Sequence, residues 1–152
     1  MALKIVDIID EVASHAARLG QFERVAEHEP ENVLASGLTF AVWMDRLGPV
    51  PSSGLSSTSG RLVLFLRIYS AADAAPADEI DPRVTAAADA LMRAYVGDFT
   101  LGGIVRQVDV RGTHGVSLEA RAGYLDSRDG AFMRVVTITL PLIINDLWPE
   151  EE

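Results

Sequence analysis

The chain has 152 residues, 49% of them hydrophobic and 23% charged, with a formal net charge of −9 and no cysteine. That length supports one domain whose core needs neither disulfide nor metal, and the missing cysteines exclude disulfide scaffolds, thiolate zinc sites and cysteine nucleophiles. The acidic balance, with no basic run, argues against a grip on nucleic acid, which depends on Lys and Arg neutralising phosphates.

Residues 3 to 19 read as a helix, with Ile5, Ile9, Val12, Ala16 and Leu19 at helical spacing and Gly20 as its stop. Asp7, Asp10 and Glu11 interrupt any apolar run here, so the segment does not read as a signal peptide. No stretch of the chain approaches the roughly 18 apolar residues of a membrane-spanning helix. "QFERVAEHE" follows as a weak strand ended by Pro30. "GLTFAVWMDRL" and "RLVLFLRIY" are stronger strands, the latter apolar on both faces and therefore expected at the centre of a covered sheet.

Between those two strands lies "GPVPSSGLSSTSGRL", rich in Ser, Gly and Pro. "AADAAPADE" reads as a flexible link. "DPRVTAAADALMRAYVG" is the clearest helix: Asp81 suits the N-cap, Pro82 the first helical position, and Val84, Ala87, Ala88, Leu91 and Tyr95 share a face. Strands at roughly 103–110, 116–125 and 131–143 finish the chain, the last two joined by the turn "SRDG". Leu118, Ala120, Ala122 and Tyr124 alternate with Glu119, Arg121 and Gly123. The fold class is α+β in one domain, residues 1–152. Two helices pack on a mostly antiparallel, twisted sheet in the order αβββαβββ, with a long hairpin insert between strands two and three.

Motifs for chemistry are weak. A phosphate loop at "GLSSTSGRL" has one residue too many between Gly54 and Gly60, Arg61 in place of lysine, and a strand rather than a helix after it. Asp109, His114 and Ser117 could be assembled as a triad, but they crowd one turn with no nucleophile elbow, and a polar hairpin tip is the simpler reading. In "EHE", a strand would turn His28 away from Glu27 and Glu29. His15 sits on the first helix with no second ligand at i+4. Asp78 and Glu79 read as a solvated loop pair, and Trp43 and Trp148 as packing or interface anchors. No catalytic, cofactor or metal residue is assigned, and no enzyme activity is expected. The insert reads as a hairpin whose tip another chain holds, since structureless loops of that length are usually functional or disordered.

The phrases "LGQFERVAEHEP", "GLTFAVWMDRLGPVPSSGLSSTSGRLVLFLRIY", "IDPRVTAAADALM", "GDFTLGG", "VDVRGTHGVSLEARAGYL" and "FMRVVTITLPLIINDLW" span nearly the whole chain. In them it resembles the tail terminator (tail completion) proteins of long-tailed phages, above all phages of actinobacteria. The resemblance implies a homohexameric ring that caps the tail tube, ends its polymerisation and meets the head–tail connector or stopper. Its partners are then other copies of itself, the major tail-tube protein and the connector, with no cofactor, no reaction and no membrane. DNA passes through the ring without specific binding. The place is the head-proximal end of the virion tail, after synthesis in the host cytoplasm. By the same analogy Pro49, Val50, Pro51, Ser52, Ser53, Gly54, Leu55, Ser56, Ser57, Thr58, Ser59 and Gly60 form an arm gripping a neighbouring subunit or the tube. An acidic channel would suit DNA passage, with Glu119, Asp126 and Asp129 as lumen candidates. A stopper or adaptor, a tail-tube subunit, and a small-molecule-binding α+β domain remain the other readings; the last needs a pocket of converging polar groups.

Overall fold

The computed structural model describes residues 3–28, 37–51, 57–71, 77–126 and 132–149. The elements run α1 (Ile5–Leu19), β1 (Arg24–Ala26), β2 (Leu38–Pro49), β3 (Ser57–Ala71), α2 (Ala77–Gly97), β4 (Gln107–Val108), β5 (Glu119–Asp126) and β6 (Phe132–Pro149). This is the expected α+β order of a helix, three strands, a helix and three strands. The strands form one six-stranded sheet in the order β1-β2-β3-β6-β4, with β5 also on β6. Every pairing is antiparallel except β1 with β2.

The periodicity places the core. Leu62, Leu64, Leu66 and Ile68 of β3 turn to one face together with Phe40 and Val42 of β2 and Val136, Ile138, Leu140 and Leu142 of β6. Both helices cover that face. α1 contributes Ile8, Val12, Ala13 and Ala16, and α2 contributes Val84, Ala87, Ala88, Leu91 and Tyr95, the full face read from its sequence. Each fully buried leucine removes about 1.5–3 kcal/mol worth of apolar surface from water. Tyr95 is buried among them; its hydroxyl donates to the Val12 carbonyl at 2.9 Å and ties α2 to α1. Burial pushes that phenol far above its usual pKa. Gly20 ends α1 in the left-handed conformation, φ 70°, as its sequence position suggested.

Among the described residues the opposite face carries no helix. Its smaller cluster holds Ala26, Ala41, Tyr69, Met133 and Val135, with Trp43 and Leu125 against it. β3 is accordingly covered on both sides.

Several boundaries differ from the sequence reading. α2 begins four residues before Asp81, so Asp81 is no cap and Pro82 lies inside the helix. As the sixth helical residue Pro82 has no N–H to give the Asp78 carbonyl and its ring crowds that carbonyl, a cost confined to the exposed first turn. Asp78 and Glu79 therefore sit in that first turn, where the helix dipole favours acids. Asp81 instead accepts from Arg134 of β6 at 2.8 Å. β4 shrinks to two residues, because 99–106 folds into turns through Gly102 and Gly103 at positive φ. β6 runs on to Pro149, beyond the expected 143, because Trp148 and Pro149 pair with Thr58 and Ser57. The "SRDG" turn, Glu29 and most of the "AADAAPADE" link lie outside the described residues.

Candidate assembly surfaces

The Ser/Gly-rich insert is shorter than its composition suggests. Ser57, Thr58, Ser59 and Gly60 belong to β3, and Pro49 pairs with Gly60 as the β2–β3 ladder continues. Val50 N–H donates to the Ser59 carbonyl at 3.0 Å. Ser59 is buried, its hydroxyl accepting from the Asp146 N–H at 3.1 Å, while Ser57 donates to the Asp146 carboxylate at 2.6 Å. A Cβ on Gly60 would stand 2.6 Å from a Leu147 side-chain methyl, so a larger residue here requires that side chain to move. Of the proposed arm, Pro49 and Ser57 to Gly60 are thus engaged within the sheet. Pro51 is exposed, and Ser52, Ser53, Gly54, Leu55 and Ser56 lie outside the described residues. Hydroxyls and glycine read as loop chemistry, but here each serves a close approach between β3 and β6.

The would-be triad is a clamp. Asp109, 2% exposed, accepts from the backbone N–H groups of Thr113 and His114 at 2.9 and 3.0 Å, and from Arg61 at 3.4 Å. Its carboxylate is spent on the turn rather than on the His114 imidazole. The Arg61 guanidinium also donates to the Val116 carbonyl and lies against Gly115, where a Cβ would meet it at 2.8 Å. The 109–118 loop is thereby pinned across β6 onto β3. Arg61, read as a failed phosphate-loop lysine, is the residue that holds it.

A polar cluster joins the helices. His15 Nδ1 accepts from Arg18 at 3.4 Å, so its Nε2–H donates to Asp98 at 2.9 Å. Glu11, one turn before His15, stands 3.7 Å from the same nitrogen and takes Arg18 at 3.2 Å. The sequence reading sought a second ligand at i+4 and missed this acid at i−4. Asp98, just past the end of α2, could be found only in three dimensions. The Gly102 N–H, His15 and the Arg18 charge hold Asp98 below the usual carboxylate range, against a smaller upward push from burial. Ligand atoms of Glu11, His15 and Asp98 lie within 4.8 Å of one another. They satisfy each other and Arg18 directly, and the arrangement serves as a helix–helix tie.

The helix-free face is lined in rows across the sheet. One row runs Trp43–Phe65–Thr139–Glu119 and the next Ala41–Arg67–Thr137–Arg121. Arg67 donates to Thr137 Oγ1 at 2.9 Å and lies 5.3 and 5.9 Å from the Trp43 and Tyr69 ring centres, in cation–π range. An open groove there holds Arg46, Arg67 and Arg121 against Asp45 and Glu119. Glu119 faces this groove. Asp126, paired with Phe132, points to the helix-bearing side, so these two lumen candidates do not share a surface. Asp129 lies outside the described residues.

Both lateral borders of the sheet are open among the described residues. On one side β1 covers only Thr39–Ala41 of β2, leaving Met44 to Pro49 without a neighbour. On the other side β5 pairs only with β6, and its side chains are exposed or half-buried on both faces. Large apolar side chains stand out at these borders: Met44 at 50% and Leu47 at 41% exposure on β2, Tyr124 at 57% on β5, and Phe132 at 52% stacked on Tyr124. Sequence patterning gave β5 one polar and one apolar face, and could not show that the helices stop short of both.

No protein-family model matches the chain, and no curated protein matches it. Among solved structures it is similar to a chain from the virion of a native gene transfer agent (GTA) particle. The two are 18% identical, the match covers 89% of this chain and 90% of that one, and the TM-score is 0.44.

Proposed function

We propose that this protein is a structural subunit of a phage-like virion that assembles with copies of itself into a ring at the end of the tail tube. The sheet, open at both borders among the described residues, is the observation that carries the reading. An isolated domain with two such borders and exposed Met44, Leu47 and Tyr124 is an aggregation liability, unless assembly covers them. A closed ring of head-to-tail contacts covers both borders of every subunit. The sequence resemblance to tail terminators supplies the finer assignment: a hexamer that caps the tube, stops its growth and offers its other surface to the connector. The protein then acts without catalysis or cofactor, and lies in the virion at the head-proximal end of the tail.

Native mass spectrometry of the purified protein, with and without tail tubes, tests this. A hexamer, free or only on tube ends, supports the terminator assignment. Open-ended polymers point to a tube subunit, and a chain that stays monomeric and ignores tubes overturns the assembly reading.

A further inference from the structure

The geometry points to a specific contact between copies: β5 of one subunit adds antiparallel to the Met44–Pro49 edge of β2 in the next, so that one sheet runs on from subunit to subunit. This rests on the assembling-subunit reading, and the occupant of each border is a second copy of this chain.

Strand direction is the first argument. β2, β3, β6 and β5 alternate in sense, because each of the three pairings between them is antiparallel. An even number of alternating strands leaves β5 running opposite to β2. A copy repeated head-to-tail therefore presents β2 to β5 in antiparallel sense, the sense of the sheet's main ladders.

The second argument is the match of side chains. Met44 and Leu47 pair with Leu64 and Leu62, on the helix-bearing face, and Tyr124 and Ala122 pair with Arg134 and Val136, on that same face. With Met44 set opposite Tyr124, the β2 irregularity at Asp45 brings Leu47 opposite Ala122 and Arg46 opposite Gly123. Cross-strand aromatic and aliphatic pairs of this kind stabilise sheets. Sliding β5 by two residues in one direction would set Arg46 directly opposite Arg121, a like-charge pair, and in the other would set Met44 opposite Asp126, so both slips lose the apolar match.

Closure is the third. Tyr124 stands level, through Arg134, with Ser70 of β3, and Met44 stands level with Leu64. The borders are thus offset by the six residues between Leu64 and Ser70, ~20 Å at the usual strand rise. The lateral repeat is four strand spacings, about 19 Å. A flat ring needs the strands inclined by the angle whose tangent is the ratio of these lengths, about 45°, the upper end of the tilt found in closed β-barrels. The offset that would prevent closure of upright strands is the one that tilted strands require. With the helix layer on the outside, where the circumference is greater, Arg67, Arg121 and Glu119 face the bore.

The cysteine-free chain allows a direct test. Met44→Cys and Tyr124→Cys are introduced singly and together, both at exposed positions, with Val6→Cys on α1 as the exposed control. Mild oxidation of the double variant should give a reducible ladder of covalent multimers. A mixture of the two single variants should give the mixed dimer, while Val6→Cys with Tyr124→Cys should give none. Self-cross-linking of Tyr124→Cys alone would show a symmetric β5–β5 contact and overturn the proposal. So would an oligomer of unchanged native mass in which the Met44/Tyr124 pair stays reduced, although the ring reading would survive that result. A chain that stays monomeric with and without tubes overturns both. Ala122→Lys provides the second measurement: it should abolish the oligomer while the circular dichroism spectrum of the monomer is retained, and an unaffected oligomer refutes the pairing.

Discussion

β3 and β5 lie in one sheet, separated only by β6, yet they live in opposite surroundings. β3 is buried along nearly its whole length, under two helices on one side and the Trp43–Tyr69 cluster and the pinned 109–118 loop on the other. β5 has the same backbone geometry, but its side chains are exposed or half-buried on both faces, and among the described residues its outer edge has no neighbour. The composition of each strand follows its surroundings: the run Leu62–Leu66 and Ile68 in β3, interrupted only by Arg67, and small and charged residues with Tyr124 and Leu125 in β5. Burial in β3 supplies stability. The exposure of β5 leaves hydrogen-bonding capacity that the monomer does not use.

Substitutions sharpen that contrast, and the largest effect is expected where a charge is buried. Asp109→Ala strips Arg61 of its carboxylate and two backbone N–H groups of their acceptor, and should cost about 3–5 kcal/mol in urea unfolding. Leu64→Ala opens a cavity in β3 and should cost about 2–5 kcal/mol by the same measurement. Tyr124→Ala in β5 gives up only the stacking on Phe132 and the Arg134 guanidinium that lies 4.3 Å from its ring centre, about 1 kcal/mol. Its main effect should appear as a lower oligomer fraction in native mass spectra. A Tyr124→Ala variant that unfolds like Leu64→Ala would erase the distinction drawn between the strands.

Two smaller effects depend on pH. Asp98 has a depressed folded pKa, so its stabilisation is present above the ordinary carboxylate pKa and is lost as pH falls through the folded value. Asp98→Asn should therefore cost up to about 1 kcal/mol at neutral pH, limited by solvent screening, and the deficit should shrink in acid melts. Glu27 behaves oppositely. A hydrogen bond that the protonated Glu27 carboxyl donates to Asp10, burial and the Asp10 charge raise its pKa, so the fold is favoured below the unfolded pKa and loses that advantage as pH rises through the folded one. Glu27→Gln should gain a few tenths of a kcal/mol, roughly the scale of exposed charge pairs, at neutral pH and nothing in acid.

Much of the architecture was legible because hydrophobic period survives tertiary context: the buried face of α2, the two-sided apolar β3 and the β2–β3 hairpin were all readable. Boundaries failed where a long-range partner outweighed local preference. Asp81 looks like an N-cap until Arg134 of β6 claims it. Ser57, Thr58 and Ser59 look like loop until β6 runs alongside, and β6 itself runs past its apolar stretch because those residues receive it. The candidate surfaces were less legible. Exposure of Met44 or Tyr124 depends on where the helices stop, and nothing local to those residues records it.

The length of β6 has a mechanical consequence. Its 18 residues bond to β3 along one side and to β5 and β4 along the other, with the hydrogen bonds lying across the strands. A pull directed along β6 therefore loads many of these bonds in shear at once, rather than peeling them one after another. Resistance to such a pull is set by the unfolding rate rather than by equilibrium stability. A subunit built round this strand can carry tension through its full height even where its equilibrium stability is ordinary.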